Sequence, residues 1–449
     1  MKIPRNSLCS KGFRSIISIG CRIRRQAHFL AKITLVSAPA PHHLRNRRWR
    51  IFGVGVLMDM TGDQANERLV NQLIARGTLW SQPLIAAFRA TPRHRFLERV
   101  WHYTRQHGWR EVRTDAPGRQ ELRLLYADRA LTTRLSEPSP GQPVVPISSS
   151  SQPSLMAEML EDLLLAPGLK TLEIGAGTGY NAALLAHVVG QIISLDIDRR
   201  VLSEAAEHLR AFPDRQVELR YGDGRHGYPE RAPFDRILVT AAALDLEPAW
   251  LEQLAEDGLL LAPLDLAPGL AFLVCGTCRD GVFEGRLTRP AYFMPLRGET
   301  EPGRENTSVS PGPLPPADAL PSMIAPWADW ATRKPCSAGP GLLPSLAFLG
   351  WLHGYTLGYQ TLGDGRTVYG VGDLVRGHAC WFGLREWRIT GAAGRNLGMQ
   401  MWHDFLDAGG PWPTEFRLRA IPIGASEPRS SDVGWVERSE AHQEPSVGL

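Results

Sequence analysis

The stretch Leu172-Glu173-Ile174-Gly175-Ala176-Gly177-Thr178-Gly179-Tyr180 constrains this chain more than any other. The segment from Lys170 to Ile174 reads as a buried strand. Three glycines break it, and an Ala/Leu-rich helix is expected from Asn181 to Val189. Glycine lets a backbone approach a ligand where a Cβ would clash. A helix N-terminus behind such a turn adds free N–H groups and a partial positive charge.

Partners follow at the spacing a nucleotide-binding sheet needs. Asp196 ends the apolar run Gln191 to Leu195. An acid about 20 residues after such a turn can accept hydrogen bonds from both ribose hydroxyls. Gly222-Asp223-Gly224 follows a strand-like Val217 to Arg220, and its carboxylate suits an adenine amino group. Phe234 to Ala242 reads as another strand, ending in small residues that include Thr240. Alternating strands and helices, with ligands at the carboxyl ends, predict an α/β class with a doubly wound Rossmann-like sheet.

The turn also narrows the ligand. A dinucleotide site expects Gly-x-Gly-x-x-Gly under a pyrophosphate. Here the glycines are Gly175, Gly177 and Gly179, with Glu173 just before them. A carboxylate at that strand end would repel a pyrophosphate and suit a cationic ligand. S-adenosylmethionine carries a sulfonium and an amino group, and no phosphate. The Glu-x-Gly-x-Gly-x-Gly string resembles motif I of the class I S-adenosylmethionine-dependent methyltransferases. The resemblance implies that Glu173, Gly175, Gly177, Gly179, Asp196, Asp223 and Gly224 hold this cofactor.

The acceptor is suggested by Ser148-Ser149-Ser150-Ser151-Gln152-Pro153, ahead of a helix expected from about Ser154 to Leu165. A Ser-Gln-Pro step opening that helix resembles the signature of the protein-L-isoaspartate (D-aspartate) O-methyltransferase family. The resemblance implies Ser151 at the substrate carboxylate, with Ser149, Ser150 and Thr240 as further substrate contacts. Helix capping is the competing role for such a serine. Asp63–Gly77, Ala87–Phe96, Tyr126–Leu131, Ala232–Asp235 and Tyr292–Leu296 also resemble family segments. Three features depart from the family pattern. Residues Glu98 to Leu124 form a long insertion. Asp196 stands where many relatives carry Glu. Pro263-Leu264-Asp265-Leu266 replaces a glycine-rich step after the sixth strand.

Carboxyl methylation needs little catalytic apparatus. A carboxylate of pKa about 4 is already ionised at neutral pH. Alignment with a methyl donor can supply roughly 7–11 kcal/mol. The absence of a clear His/Asp pair is therefore expected. The resemblance implies an acceptor that is a protein or peptide presenting a carboxylate. Isoaspartyl repair is the leading reading. The alternative is a maturation system that methylates Asp of a precursor peptide, which the C-terminal domain would bind. Nucleic-acid N-methylation is disfavoured, because Val239-Thr240-Ala241-Ala242 lacks an Asn/Asp-Pro-Pro-Tyr/Phe motif. A non-catalytic cofactor-binding module remains a third class.

Length and charge organise the rest. The 449 residues suggest two or three domains. Residues 1–57 carry twelve Lys or Arg and no Asp or Glu, so the overall +4 becomes −8 for the remainder. This basic extension reads as a transit peptide, a nucleic-acid-binding arm, or read-through ahead of a true start at Met58 or Met60, the last being favoured. The methyltransferase domain is expected over 58–296, a Pro/Gly/Ser-rich linker over 297–322, a small α+β C-terminal domain over 323–424 and a disordered tail over 425–449. In that C-terminal domain, Gly363-Asp364-Gly365 predicts a hairpin turn, Leu397 to Phe405 a helix and Phe416 to Ile421 a strand. No apolar run reaches the ~20 residues that span a bilayer, and a cytoplasmic protein is expected. Cys275 and Cys278 form a lone C-x-x-C, read as buried thiols and not as a metal site.

Overall fold

The computed structural model describes residues 60–298 apart from positions 105, 115, 268 and 280, the greater part of 314–407, and two short segments at 417–422 and 433–435. The basic extension 1–57, the Gly363–Gly365 turn, and most of the linker and tail lie outside the described residues.

The chain enters through helices α1 (Gly62–Ala75) and α2 (Gln82–Ala90). A capping box starts α1: the Thr61 hydroxyl accepts the Gln64 N–H at 3.2 Å, and Gln64 Oε1 accepts the Thr61 N–H at 3.0 Å. The Glu98–Leu124 insertion then folds as the hairpin β1 (Arg99–Thr104) and β2 (Gly108–Arg113), followed by α3 (Arg119–Leu125). With β3 (Leu131–Leu135) and β4 (Pro146–Ser150) they form an antiparallel sheet of order β2-β1-β3-β4. The insertion thus widens the sheet whose other edge, β4, carries the serine run. Helix α4 (Pro153–Asp162) follows, with Gln152 as N-cap and a proline in its first turn. It ends three residues before the expected Leu165, because Leu164 takes a left-handed backbone (φ 49°).

The main sheet contains the glycine turn. Strands β5 (Thr171–Ile174), β6 (Gln191–Asp196), β7 (Gln216–Tyr221), β8 (Phe234–Val239) and β9 (Leu254–Ala267) run parallel. Helices α5 (Tyr180–Val189), α6 (Arg199–Leu209) and α7 (Pro248–Glu252) lie between them in sequence. Antiparallel β10 (Leu270–Arg279) and β11 (Val282–Pro290) extend the sheet beyond β9. This is the expected doubly wound Rossmann-like sheet.

A five-stranded antiparallel sheet follows, comprising β12 (Ser322–Ile324), β13 (Thr356–Thr361), β14 (Thr367–Asp373), β15 (His378–Phe382) and β16 (Glu386–Ile389) in the order β12-β16-β15-β14-β13. It is accompanied by α8 (Leu342–Leu352) and α9 (Gly391–Asp407). The strand read at Phe416–Ile421 does not join this sheet. As β17 (Arg417–Pro422) it pairs with β11 of the main sheet, and β18 (Val433–Trp435), inside the segment read as a disordered tail, pairs with β17.

Two apolar layers flank the main sheet. One joins Leu69, Phe88, Met159, Leu185, Leu273 and Cys275. The other joins Ile174, Trp250, Phe272, Val274 and Leu287 with Leu346, Phe348, Trp387 and Phe405 of the C-terminal module. Successive β10 side chains alternate between the layers, as the period of a strand requires. The C-terminal module therefore covers apolar surface of the main sheet that water would otherwise meet.

Candidate active site

Strands β6 and β7 lie on one side of β5, and β8 and β9 on the other. The crevice at the carboxyl ends of β5 and β8 is therefore the topological switch point, where ligands bind in such sheets. Ile174 and Val239 are register partners, so Gly175 and Thr240 emerge side by side. Gly175 has φ +102°, and a Cβ there would collide with the Thr240 hydroxyl. That hydroxyl donates to the carbonyls of Ile174 (3.0 Å) and Gly175 (2.8 Å). The N–H groups of Gly175 and Ala176 both donate to the Leu195 carbonyl. Asp196 completes the turn: Oδ2 accepts the Gly177 N–H at 3.1 Å and Oδ1 the Asp198 N–H at 3.0 Å. A cavity of about 1420 Å³ opens here, with Gly175, Gly177, Asp196, Gly224 and Thr240 on its wall.

Three expected cofactor residues are not on that wall. Glu173 is fully buried, and its carboxylate accepts from Asn181 Nδ2 at 3.0 Å and Ser194 Oγ at 2.5 Å. Burial pushes its pKa up to about 7. It braces the turn from behind, with its carboxyl turned to Asn181 and Ser194 and not to the cavity wall. Asn181, one helical step beyond the glycines, lines the cavity in its place. Gly179 packs its backbone against Ala205 at a left-handed φ of +81°. The buried Asp223 caps the turn Gly224–His226, accepting the Arg225 N–H at 3.0 Å and Arg225 Nη2 at 2.7 Å. It acts through Gly224, whose carbonyl accepts Trp250 Nε1 at 2.7 Å.

The serine run divides by strand alternation. The Ser148 hydroxyl accepts from Thr133 Oγ1 at 3.1 Å. The Ser150 hydroxyl accepts from Arg93 Nη2 at 3.2 Å and Nε at 3.3 Å. Ser148 and Ser150 are buried at the cavity border, and the Ser150 hydroxyl is engaged by Arg93. Ser149 and Ser151 are half-buried on the cavity wall, and their hydroxyls have no protein partner among the described residues. Ser151 does not cap α4. Gln152 is its N-cap, and the Ser154 N–H is taken by Asp128 Oδ1 at 2.9 Å.

Arg93 had no role assigned from sequence, although it lies in the Ala87–Phe96 segment. It is fully buried and donates to the carbonyls of Leu125 (2.9 Å), Ser150 (3.2 Å) and Ser151 (2.8 Å). Burial pushes its pKa down to about 10, so it stays a cation at neutral pH.

The remaining wall is built by other elements. Pro263–Leu266 continues β9 without a break, pinned where the Asp265 N–H donates to the Ala243 carbonyl at 2.8 Å. Asp265, Tyr292 and the β13 residues Tyr359, Gln360 and Thr361 line the cavity. Arg289 pairs with Glu158 at 3.1 Å and Asp162 at 2.9 Å. Cys275 and Cys278 sit three positions apart on β10, on opposite faces of the strand. Burial raises both thiols above their ordinary range.

These residues suit S-adenosylmethionine. The turn leaves no room for a Cβ at Gly175, the Asp196 carboxylate lies on the cavity wall, and the cavity exceeds the roughly 300–1,000 Å³ of a small-molecule site. A family model described as protein-L-isoaspartate (D-aspartate) O-methyltransferase matches residues 123–301. The protein-L-isoaspartate O-methyltransferase of Halorhodospira halophila is 35% identical over 239 residues, 53% of this chain and 93% of that protein. That of Opitutus terrae is 34% identical over 239 residues, covering 53% and 89%. A solved structure titled protein-L-isoaspartate O-methyltransferase aligns with 80% of this chain and 97% of its own, at 23% identity and TM-score 0.46. With its glycine turn, Asp196 and serine strand on one cavity, and with relatives matched over nearly their whole length, the chain belongs to the protein-L-isoaspartate (D-aspartate) O-methyltransferase family.

Proposed function

We infer that the chain is an S-adenosylmethionine-dependent carboxyl O-methyltransferase acting on L-isoaspartyl and D-aspartyl residues of proteins and peptides. One observation carries this reading. A Cβ placed on Gly177 would lie 3.7 Å from the Ser149 carbonyl oxygen, so the glycine turn and the serine strand meet at van der Waals distance. A donor on the turn and a carboxylate on the strand would share one cavity.

When bound, the cofactor supplies an electrophilic methyl group on a sulfonium. Gly175, Gly177, Asp196, Asn181 and Gly224 would hold it, while Glu173, Gly179 and Asp223 shape the turn from behind. The Ser151 hydroxyl, with Ser149 beside it, would orient the acceptor carboxylate. These donors are neutral, so they position the carboxylate without the strong stabilisation a cation would give it. No general base is required, because the acceptor is ionised at neutral pH. Thr240 contributes by holding Gly175, its hydroxyl already committed to two carbonyls.

The names of the reported relatives favour isoaspartyl acceptors over a dedicated precursor peptide. Among the described residues no helix is long and apolar enough to cross a membrane. The free thiols of Cys275, Cys278 and Cys380 agree with a reducing, cytoplasmic setting. The test is incubation with S-adenosylmethionine and two peptides that differ only in an isoaspartyl or aspartyl linkage. A base-labile methyl ester on the isoaspartyl peptide alone is expected. No ester on it, or an ester on the aspartyl peptide alone, overturns the reading.

A further inference from the structure

We propose that Asp265, with Tyr292 and Tyr359 on the same wall, forms a subsite for a basic side chain next to the residue being methylated. This rests on the reading of the cavity as a peptide carboxyl-methylation site.

The proposal starts from charge. Other acids on the wall are compensated: Glu158 pairs with Arg289, and Asp196 accepts two backbone N–H groups and feels the positive charge of Arg297. The Asp265 carboxylate has neither a cation nor an N–H donor among the described residues. Its backbone is fixed in β9 on this wall by the bond to Ala243. A half-buried carboxylate of this kind draws a cation into the cavity.

The neighbouring rings suit the same guest. The Tyr292 hydroxyl donates to the Gly269 carbonyl at 2.9 Å and lies 3.4 Å from the Tyr369 hydroxyl. Tyr359 packs over Gly269, where a Cβ would collide with its ring, and meets Tyr369 edge-on with centroids 5.3 Å apart. Aromatic faces beside a carboxylate attract ammonium and guanidinium groups. The cavity has room for more than a cofactor, so residues flanking the acceptor can enter it. Tyr359 also lies beyond residue 301, where the family match ends. The subsite is thus shared between the methyltransferase sheet and a module the family model does not cover.

The experiment uses the full chain and isoaspartyl peptides carrying Lys, Ala or Glu at each position flanking the acceptor. Two readouts are taken at low salt: kcat/KM for methyl transfer, and peptide affinity for the protein loaded with S-adenosylhomocysteine. At one flank, Lys is expected to exceed Glu by about two- to fivefold in both readouts, the scale of a partly exposed ion pair. Asp265→Asn should bring that ratio close to one, and Asp265→Lys should invert it. A wild-type ratio near one at both flanks, or a preference for Lys that survives in D265N, overturns the subsite. The affinity ratio reads the subsite even without turnover, whereas absence of turnover on the Ala-flanked peptide counts against the isoaspartyl reading alone.

Discussion

The buried guanidinium of Arg93 donates to the Ser150 hydroxyl at 3.2 Å, fastening the serine strand where it borders the cavity. The next residue, Ser151, gives Arg93 only its carbonyl oxygen, at 2.8 Å, and keeps its hydroxyl for the cavity. Adjacent serines therefore have different jobs.

Substitution should separate those jobs. Ser150→Ala removes an acceptor from a buried cation and is expected to cost about 1–3 kcal/mol of stability. Ser151→Ala should leave stability nearly unchanged, lower kcat for methyl transfer and keep cofactor affinity within about twofold. Urea unfolding, turnover and calorimetric titration with S-adenosylhomocysteine read the three quantities. A parallel loss of cofactor affinity and stability in S151A would make Ser151 a structural residue.

Asp196 holds the Gly177 and Asp198 N–H groups and faces the cavity. Asp196→Asn replaces one acceptor oxygen with a donor and removes the charge. A charge-assisted hydrogen bond contributes about 1.5–3 kcal/mol, so cofactor affinity should fall about ten- to hundredfold. An unchanged dissociation constant would remove Asp196 from the cofactor site.

The Glu173 carboxyl has a folded-state pKa of about 7 against an ordinary 4.5, chiefly through burial. Folding therefore favours its protonated form. Between these values the folded state binds more protons than the unfolded chain, so stability falls as pH rises through the window and levels off above it. In Glu173→Gln that contribution disappears. The variant is expected to gain on the order of 3 kcal/mol relative to wild type on going from pH 4 to pH 8. Urea midpoints of both proteins across this range test it, and parallel profiles would refute it.

Phe348 on α8 is buried and meets Phe272 of the main sheet edge-to-face, with centroids 6.1 Å apart. Phe348→Ala should cost about 3–5 kcal/mol. Because the two modules share one apolar layer, the loss should move the main cooperative unfolding transition. A shift confined to a separate transition would mean that the C-terminal module folds independently.

Much of the site was legible in the sequence because its signals are local. Glycines at Gly175, Gly177 and Gly179 announce a backbone of positive φ, and the apolar runs around them have strand and helix periods. Asp196 follows at the end of the next strand, so its place needed only topology. The serine run was visible as a run, but its division was not. All four serines border the cavity, but only Ser149 and Ser151 keep hydroxyls without a protein partner among the described residues, and Arg93, which claims Ser150, comes from a segment far back in the chain.

The sequence by itself determined the doubly wound sheet, the cofactor turn and the approach of a serine strand, since these follow from residue period, glycine freedom and spacing. Only the tertiary structure decided which groups reach the cavity. Glu173 is turned inward by Asn181 and Ser194, Asp223 is held by Arg225, and Asp265 has no partner among the described residues. Packing also assigned β17 and β18 to the main sheet and brought Tyr359 to the substrate side. The physical reason is common to all: the environment of a charge or a strand edge is set by residues distant in sequence, which no local pattern records.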